Sequence, residues 1–106
     1  MGYIPAMRVL KTDEYRDWID GLKDVAARAR ILVRVERLIH GNPGVHRPLT
    51  QGVSELKIDV GPGYRVYYAL KGNRLLLLLA GGDKSTQSRD IAKALQLAQS
   101  FFQDLE

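Results

Sequence analysis

The chain has 106 residues, 45% hydrophobic and 26% charged, which is the composition of one globular domain rather than of a disordered tail. Sixteen Lys and Arg against twelve Asp and Glu give a net charge of +4, which admits nucleic acid or an acidic protein as a partner without requiring either. Cysteine is absent, which excludes a disulfide scaffold, a zinc–thiolate site and a thiol nucleophile.

Charged residues run through the first twenty positions (Arg8, Lys11, Asp13, Glu14, Arg16, Asp17), so no secretory signal is expected. The longest apolar run, Leu75 to Gly82, is far short of the ~20 residues that span a bilayer, so no membrane association is expected and the location is read as cytoplasmic. With His40 and His46 the only histidines and no clustered carboxylates, neither a metal nor another cofactor is expected.

Residues 1–5 read as a leader. The stretch Ala6–Leu10, interrupted by Arg8, reads as a strand, because Thr12-Asp13 behind it is a helix start. Tyr15, Trp18, Ile19 and Leu22 recur at three- and four-residue spacings, one face of a helix over 13–22. Asp24 caps a second helix over 25–40, with Ala27, Ile31, Val35, Leu38 and Ile39 as its apolar stripe. Gly41-Asn42-Pro43-Gly44 ends it, and residues 45–52 read as a loop.

From Val53 the period changes to two, with Leu56 and Ile58 alternating with Glu55, Lys57 and Asp59. A Gly61-Pro62-Gly63 turn leads into a strand over 64–70, and Lys71-Gly72-Asn73 is a second turn. Five leucines and an alanine over 75–80 lack polar alternation, which predicts a strand covered on both faces. Such short turns make these three strands an antiparallel meander. Residues 81–86 read as a polar loop and 87–105 as a last helix. The expectation is a single α+β domain over 1–106 in the order β-α-α-β-β-β-α, an antiparallel sheet with helices packed on one face.

Four features are candidates for chemistry. Arg28, Arg30, Arg34 and Arg37 lie largely off the apolar stripe of the second helix; they suit a phosphate backbone or an acidic protein, or are a solvated surface. Tyr64-Arg65-Val66-Tyr67-Tyr68 suits an arginine on phosphate with a tyrosine stacked on a base, or an arginine paired with Glu55 or Asp59. Gly81-Gly82-Asp83-Lys84-Ser85-Thr86-Gln87 offers an anion cradle at a helix start, or an ordinary connection capped by Ser85 or Thr86; it is not a P-loop. His46, beside Arg47, is a loop histidine able to move a proton near neutral pH, or simply a loop residue. In a meander, Lys57, Arg65 and Lys84 fall at the same sheet end, where converging cations suit the stabilisation of phosphoryl charge.

The element order, the Tyr64–Tyr68 strand and the leucine-rich strand running into Gly81–Gln87 resemble the RelE/ParE toxin superfamily, nearest its addiction-module killer branch, which is related to HigB and phage Gp49-like proteins. The resemblance implies a RelE-like, microbial-ribonuclease-like fold and the toxin of a type II toxin–antitoxin pair. It implies mRNA cleavage on the ribosome, neutralisation by a cognate helix-turn-helix antitoxin, and contact with operator DNA only through that complex. It places Arg65 on the scissile phosphate and Lys57 as one of two lysines, whose companion position holds Glu55. Lys84 stands near a second phosphate-stabilising cation. A 2′-hydroxyl would attack the adjacent phosphate with Lys57 as base and His46 in reserve, while Arg47, Tyr64, Tyr67, Arg28 and Arg34 are expected to bind RNA. The alternatives are a non-nuclease toxin acting on DNA gyrase, as in the ParE branch, and a module that acts only in the antitoxin complex.

Overall fold

The computed structural model describes residues 7–104, so the leader expected over 1–5 lies outside the described residues. The elements are β1 (Arg8–Lys11), α1 (Asp13–Gly21), α2 (Val25–Ile39), β2 (His46–Pro48), β3 (Val53–Ile58), β4 (Tyr64–Lys71) and β5 (Leu75–Asp83). A single 3-10 turn (Lys84–Thr86) then leads into α3 (Gln87–Asp104). The fold is α+β, as the sequence predicts, and the helices start where their caps require. The Thr12 side chain accepts from Tyr15 N at 3.0 Å and that of Asp24 from Ala27 N at 3.0 Å, each satisfying a first-turn N–H. Among the described residues no helix is long and apolar enough to cross a membrane.

The sheet order is β1-β5-β4-β3-β2. The meander β3-β4-β5 is antiparallel, but β1 runs parallel to β5, so the sheet is mixed rather than antiparallel throughout. The segment expected as a loop over 45–52 contains β2, an exposed edge strand paired with β3. It has no apolar alternation to reveal it, and Pro48 suits an edge, where a missing N–H is tolerated.

The helices do not lie on one face. Tyr15, Ile19, Ala27, Ile31, Val35 and Leu38 of α1 and α2 pack on Leu56, Ile58, Val66, Tyr68, Leu76 and Leu78. Ala94 and Ala98 of α3 pack on the other face, against Val53, Tyr67, Ala69, Leu77, Leu79 and Ala80. Burial of alternate leucines of β5 on opposite faces requires this arrangement: an uncovered face would leave Leu77 and Leu79 in water, at about 1.5–3 kcal/mol each.

A bulge interrupts the β4–β5 ladder. Tyr67 pairs with Ala80 but Tyr68 pairs with Leu78, so Leu79 is the extra residue. Its carbonyl accepts from the Thr12 hydroxyl, and the Leu78 carbonyl accepts from Thr12 N at 3.1 Å. One residue thus caps α1 and pins the bulge. Beyond it β5 continues through Gly81, Gly82 and Asp83, which the sequence reading assigns to a loop. Both glycines lie under helix side chains: a Cβ on Gly81 would stand 2.1 Å from Trp18 Cε3, and one on Gly82 1.8 Å from Asp90 Oδ2.

Candidate functional site

Side chains of β3 and β4 alternate between the two helix layers, and directly paired residues share a face. On the α3 side this produces two neighbouring polar rows. Arg47, Glu55, Tyr67 and Ala80 form one, and Lys57, Arg65 and Gly82 the other. Both rows lie at the sheet end where α3 begins. In a sheet covered on both faces, these residues are enclosed instead of solvated: Glu55 is 0% exposed, Arg65 4% and Tyr67 0%.

Glu55 is the centre of the cluster. Its Oε2 accepts from Gln87 Nε2 at 2.9 Å, which ties the first residue of α3 to the sheet. Its Oε1 lies 3.2 Å from Arg47 Nη2 and 4.0 Å from Arg65 Nε. Arg65 Nη1 donates to Tyr64 O at 2.9 Å and stands 3.5 Å from Asp59 Oδ1. Three buried polar atoms among the described residues have no hydrogen-bond partner, and all belong here: Glu55 Oε1, Arg65 Nε and Tyr67 Oη. Buried polar groups are normally satisfied, and these three atoms face one another and Arg47 without full hydrogen-bond geometry, which singles the cluster out as a candidate site. Burial first, and the neighbouring Glu55 carboxylate second, push the Tyr67 phenol well above its ordinary value, so Tyr67 is neutral at physiological pH.

The rim is cationic. Arg47 and Lys84 are exposed and Lys57 is half-buried. The Lys84 stem crosses Gly63, where a Cβ would come within 3.1 Å of it, two residues before Arg65. The 3-10 turn is capped by Asp83, whose Oδ1 accepts from Ser85 N at 2.8 Å and from the Ser85 hydroxyl, and not by Ser85 or Thr86. Those two bonds hold the Asp83 carboxyl below its ordinary pKa. The space over Gly82, read from sequence as part of an anion cradle, is filled by Asp90, which the Thr86 hydroxyl holds at 2.5 Å. Among the described residues no three His, Asp or Glu side chains gather as metal ligands.

A family model described as Phage derived protein Gp49-like (DUF891) matches residues 17–102, which include both polar rows and all but the last two residues of α3. The chain belongs to this family. A relative from Haemophilus influenzae, described as an uncharacterized protein, is 43% identical over 93 residues, covering 88% of this chain and 94% of the relative. Membership of the Gp49-like family suggests a role of the toxin–antitoxin type.

Of the residues singled out from the sequence, this Gp49-like structure brings Arg65, Lys57, Arg47 and Tyr67 to one face and Lys84 to its edge. Tyr67 contributes only its hydroxyl, since its ring is in the core, and so it offers no base-stacking surface. Tyr64 is turned to the opposite layer, buried 6.5 Å from the Trp18 ring, and is likewise closed to a base. His46 pairs with Leu56, whose side chain lies on the α2 face, so the imidazole points away from Arg65; its Nδ1 lies 2.8 Å from Gly44 O. Arg34 is a structural clamp, donating to Lys57 O at 2.8 Å, Pro43 O at 3.0 Å and Val45 O at 2.9 Å. Arg28 is on the same helix and contacts Asp20 O at 3.4 Å. The helix-on-one-face expectation is what misplaces Arg28, Arg34 and His46: α2 and Arg65 are on opposite sides of the sheet.

Glu55, Asp59, Gln87 and Asp90 join the site without having been proposed for it as functional groups. Glu55 and Asp59 are readable only as possible partners of Arg65. Both pairings form, that with Glu55 inside a buried cluster and that with Asp59 from the exposed side. Nothing local marks Gln87, which reaches from α3 to Glu55 on β3, whereas Asp90 is held by the nearby Thr86 hydroxyl over Gly82.

Proposed function

We propose that this Gp49-like protein is the toxin of a type II toxin–antitoxin pair and that it is a metal-independent endoribonuclease that cuts mRNA on the ribosome. The observation that carries the reading is the gathering of Arg65, Arg47 and Lys57 on one face around a fixed carboxylate, with Arg65 Nε left unpaired. Glu55 is the positioning residue: it holds Arg47 and Arg65 without touching substrate. Arg65 and Arg47 bind the scissile phosphate, and Lys84 stabilises the charge that grows on it. Lys57, directly across the ladder from Arg65, takes the proton of the ribose 2′-hydroxyl. The 2′-oxygen bonds to phosphorus, the bond to the 5′-oxygen breaks, and that oxygen leaves with a proton supplied by solvent water, giving a 2′,3′-cyclic phosphate and a free 5′-hydroxyl. A buried arginine with cations at its exposed rim suits an enzyme whose substrate is positioned by the ribosome, since positioning alone supplies about 7–11 kcal/mol. The partner that restrains it is a small helix-turn-helix antitoxin, and the pair meets operator DNA only as a complex.

Purified protein added to a translation extract is expected to yield mRNA truncated at codon boundaries. Arg47→Ala, at an exposed position, and Arg65→Lys, which keeps charge but loses the fork, are each expected to reduce cleavage at least about tenfold. Arrest of translation with intact mRNA would overturn the nuclease reading. The second reading, inhibition of gyrase without nuclease chemistry, is favoured by the complete enclosure of Glu55, which removes that carboxylate from proton transfer. A supercoiling assay with the same preparation distinguishes them.

A further inference from the structure

We propose that Asp59 is a built-in competitor for the phosphate subsite at Arg65: its carboxylate sits on the guanidinium in the free protein and gives way when a phosphate binds. The inference rests on the reading of Arg65 as a phosphate ligand and adds the residue that controls access to it.

Arg65 is flanked by two carboxylates of opposite character. Glu55 has a side chain 0% exposed and is fixed by Gln87 and Arg47. Asp59 has a side chain 71% exposed and makes a single contact with Arg65, at 3.5 Å. With Arg47 and Arg65 on Glu55 and Asp59 on Arg65, two carboxylates neutralise two guanidiniums, so Arg65 is left with no free positive charge to draw a phosphate. One carboxylate must move before an anion can bind, and only Asp59 can do so at little cost, because an ion pair with an exposed partner is worth about 0–1 kcal/mol. A phosphate offers two oxygens to the guanidinium fork where Asp59 offers one.

Asp59 also has somewhere to go. It lines a groove of about 480 Å³ together with Ile58, Val60, Arg30, Arg34 and Arg37. Arg34 is held rigidly in the groove wall by three carbonyls, one of them Lys57 O, two residues from Asp59. The carboxylate therefore stands between two cationic poles on opposite sides of the sheet end. The turn that follows has Gly61 at φ 55° and Gly63 at φ 81°. Leaving Arg65 would carry the carboxylate toward Arg30 and Arg37 of the same groove, since Arg34 is already engaged by its three carbonyls.

The test titrates inorganic phosphate into isotope-labelled full-length protein at low ionic strength and follows the Arg65 Nε–H resonance by NMR. Wild type and Asp59→Asn are compared. Asp59→Asn is expected to bind phosphate about fivefold tighter, the effect of removing one like charge at roughly 5 Å in water-screened surroundings. Arg65→Lys, which carries no Nε–H, is followed through the backbone amides of its ladder partners Lys57 and Gly82 and is expected to bind phosphate at least about fivefold more weakly. Equal affinity of wild type and Asp59→Asn, or shifts confined to Lys84–Arg89 with Arg65 Nε–H unmoved, would overturn the proposal. The nuclease reading is judged separately in the translation extract. Tighter phosphate binding by Asp59→Asn without mRNA cleavage leaves the masking intact and removes the ribonuclease. Arg65-dependent cleavage with unchanged phosphate affinity does the reverse.

Discussion

Glu55→Ala removes a carboxylate that is 0% exposed and shared by Arg47, Arg65 and Gln87, so its cost follows from what those partners lose. Arg65, itself 4% exposed, keeps the Asp59 contact at 3.5 Å and its bond to Tyr64 O but loses its buried counter-charge, and Gln87 Nε2 loses its acceptor. Breaking a buried ion pair by deleting one partner costs about 3–5 kcal/mol, a large share of the ~5–15 kcal/mol that holds a typical domain together. Glu55→Gln preserves shape and can still accept from Gln87, so about 1–3 kcal/mol is expected. Asp59→Asn acts on the same guanidinium from the exposed side and should cost less than about 1 kcal/mol. The decisive comparison is Glu55→Leu with Arg65→Met, since replacing a buried pair by apolar groups is often close to neutral. Urea unfolding followed by circular dichroism measures all of these, with a constant m-value confirming that only stability has changed. A Glu55→Ala cost below about 1 kcal/mol would show that the carboxylate is not holding a buried charge. So would a double variant whose cost equals the sum of its singles.

Further consequences follow for stability. Gly82→Ala places a Cβ 1.8 Å from Asp90 Oδ2 and must expel that carboxylate from the Thr86 bond, so a loss of at least about 2 kcal/mol is expected in the same assay. Gly21→Ala, at a helical position with nothing within 4 Å, should instead stabilise by about 0.5–1 kcal/mol. Thr12→Val removes the α1 cap and leaves the Leu79 carbonyl unpaired; about 2 kcal/mol is expected, read as a fall in Tm of about 10 °C. Burial first, and the Asp20 charge second, push the Tyr15 phenol up to about 12 from 10.0. A group with a raised folded pKa contributes fully below its unfolded value, so stability should hold to pH 10 and fall by about 3 kcal/mol as pH rises toward 12. Burial raises Tyr67 and Tyr68 in the same direction, and a flat profile above pH 10 would refute this account.

The helix caps and the meander were legible because they are local: Thr12 and Asp24 precede apolar stripes, and glycine turns separate strands of period two. The leucine run Leu75–Leu79 is legible as well, and its cover on both faces conflicts with helices on one face: it requires α3 on the layer opposite α1 and α2. The enclosure of the site follows from the same placement. Once α3 covers the Glu55–Tyr67 row, a residue that alternates with Leu56 and Ile58 is enclosed rather than wet. β2 left no trace, since three exposed residues paired to an edge need no pattern of their own. The Gly81-Gly82 pair was visible but ambiguous, because glycine permits close approach equally to a phosphate or to a neighbouring side chain. Here the neighbours are Trp18 and Asp90.

Glu55 stands where the toxin resemblance expects a second lysine, and the geometry shows what that exchange does. A lysine with its ammonium near the present Oε1 would put a third cation within about 3–4 Å of Arg47 and Arg65, with no water to screen it. The glutamate removes that repulsion and supplies order: two arginines and the first residue of α3 converge on one fixed carboxylate. The cost falls on anion binding, because each arginine is already partly neutralised. On the proposed reading of Arg65 as a phosphate ligand, such a site depends on the charges outside that cluster, which are Lys57, Lys84 and the exposed carboxylate of Asp59. On that reading the buried cluster sets where Arg65 points, and the groups around it set how strongly a phosphate would be held. Substitutions at Glu55 should accordingly appear first in stability, and those at Asp59 first in binding.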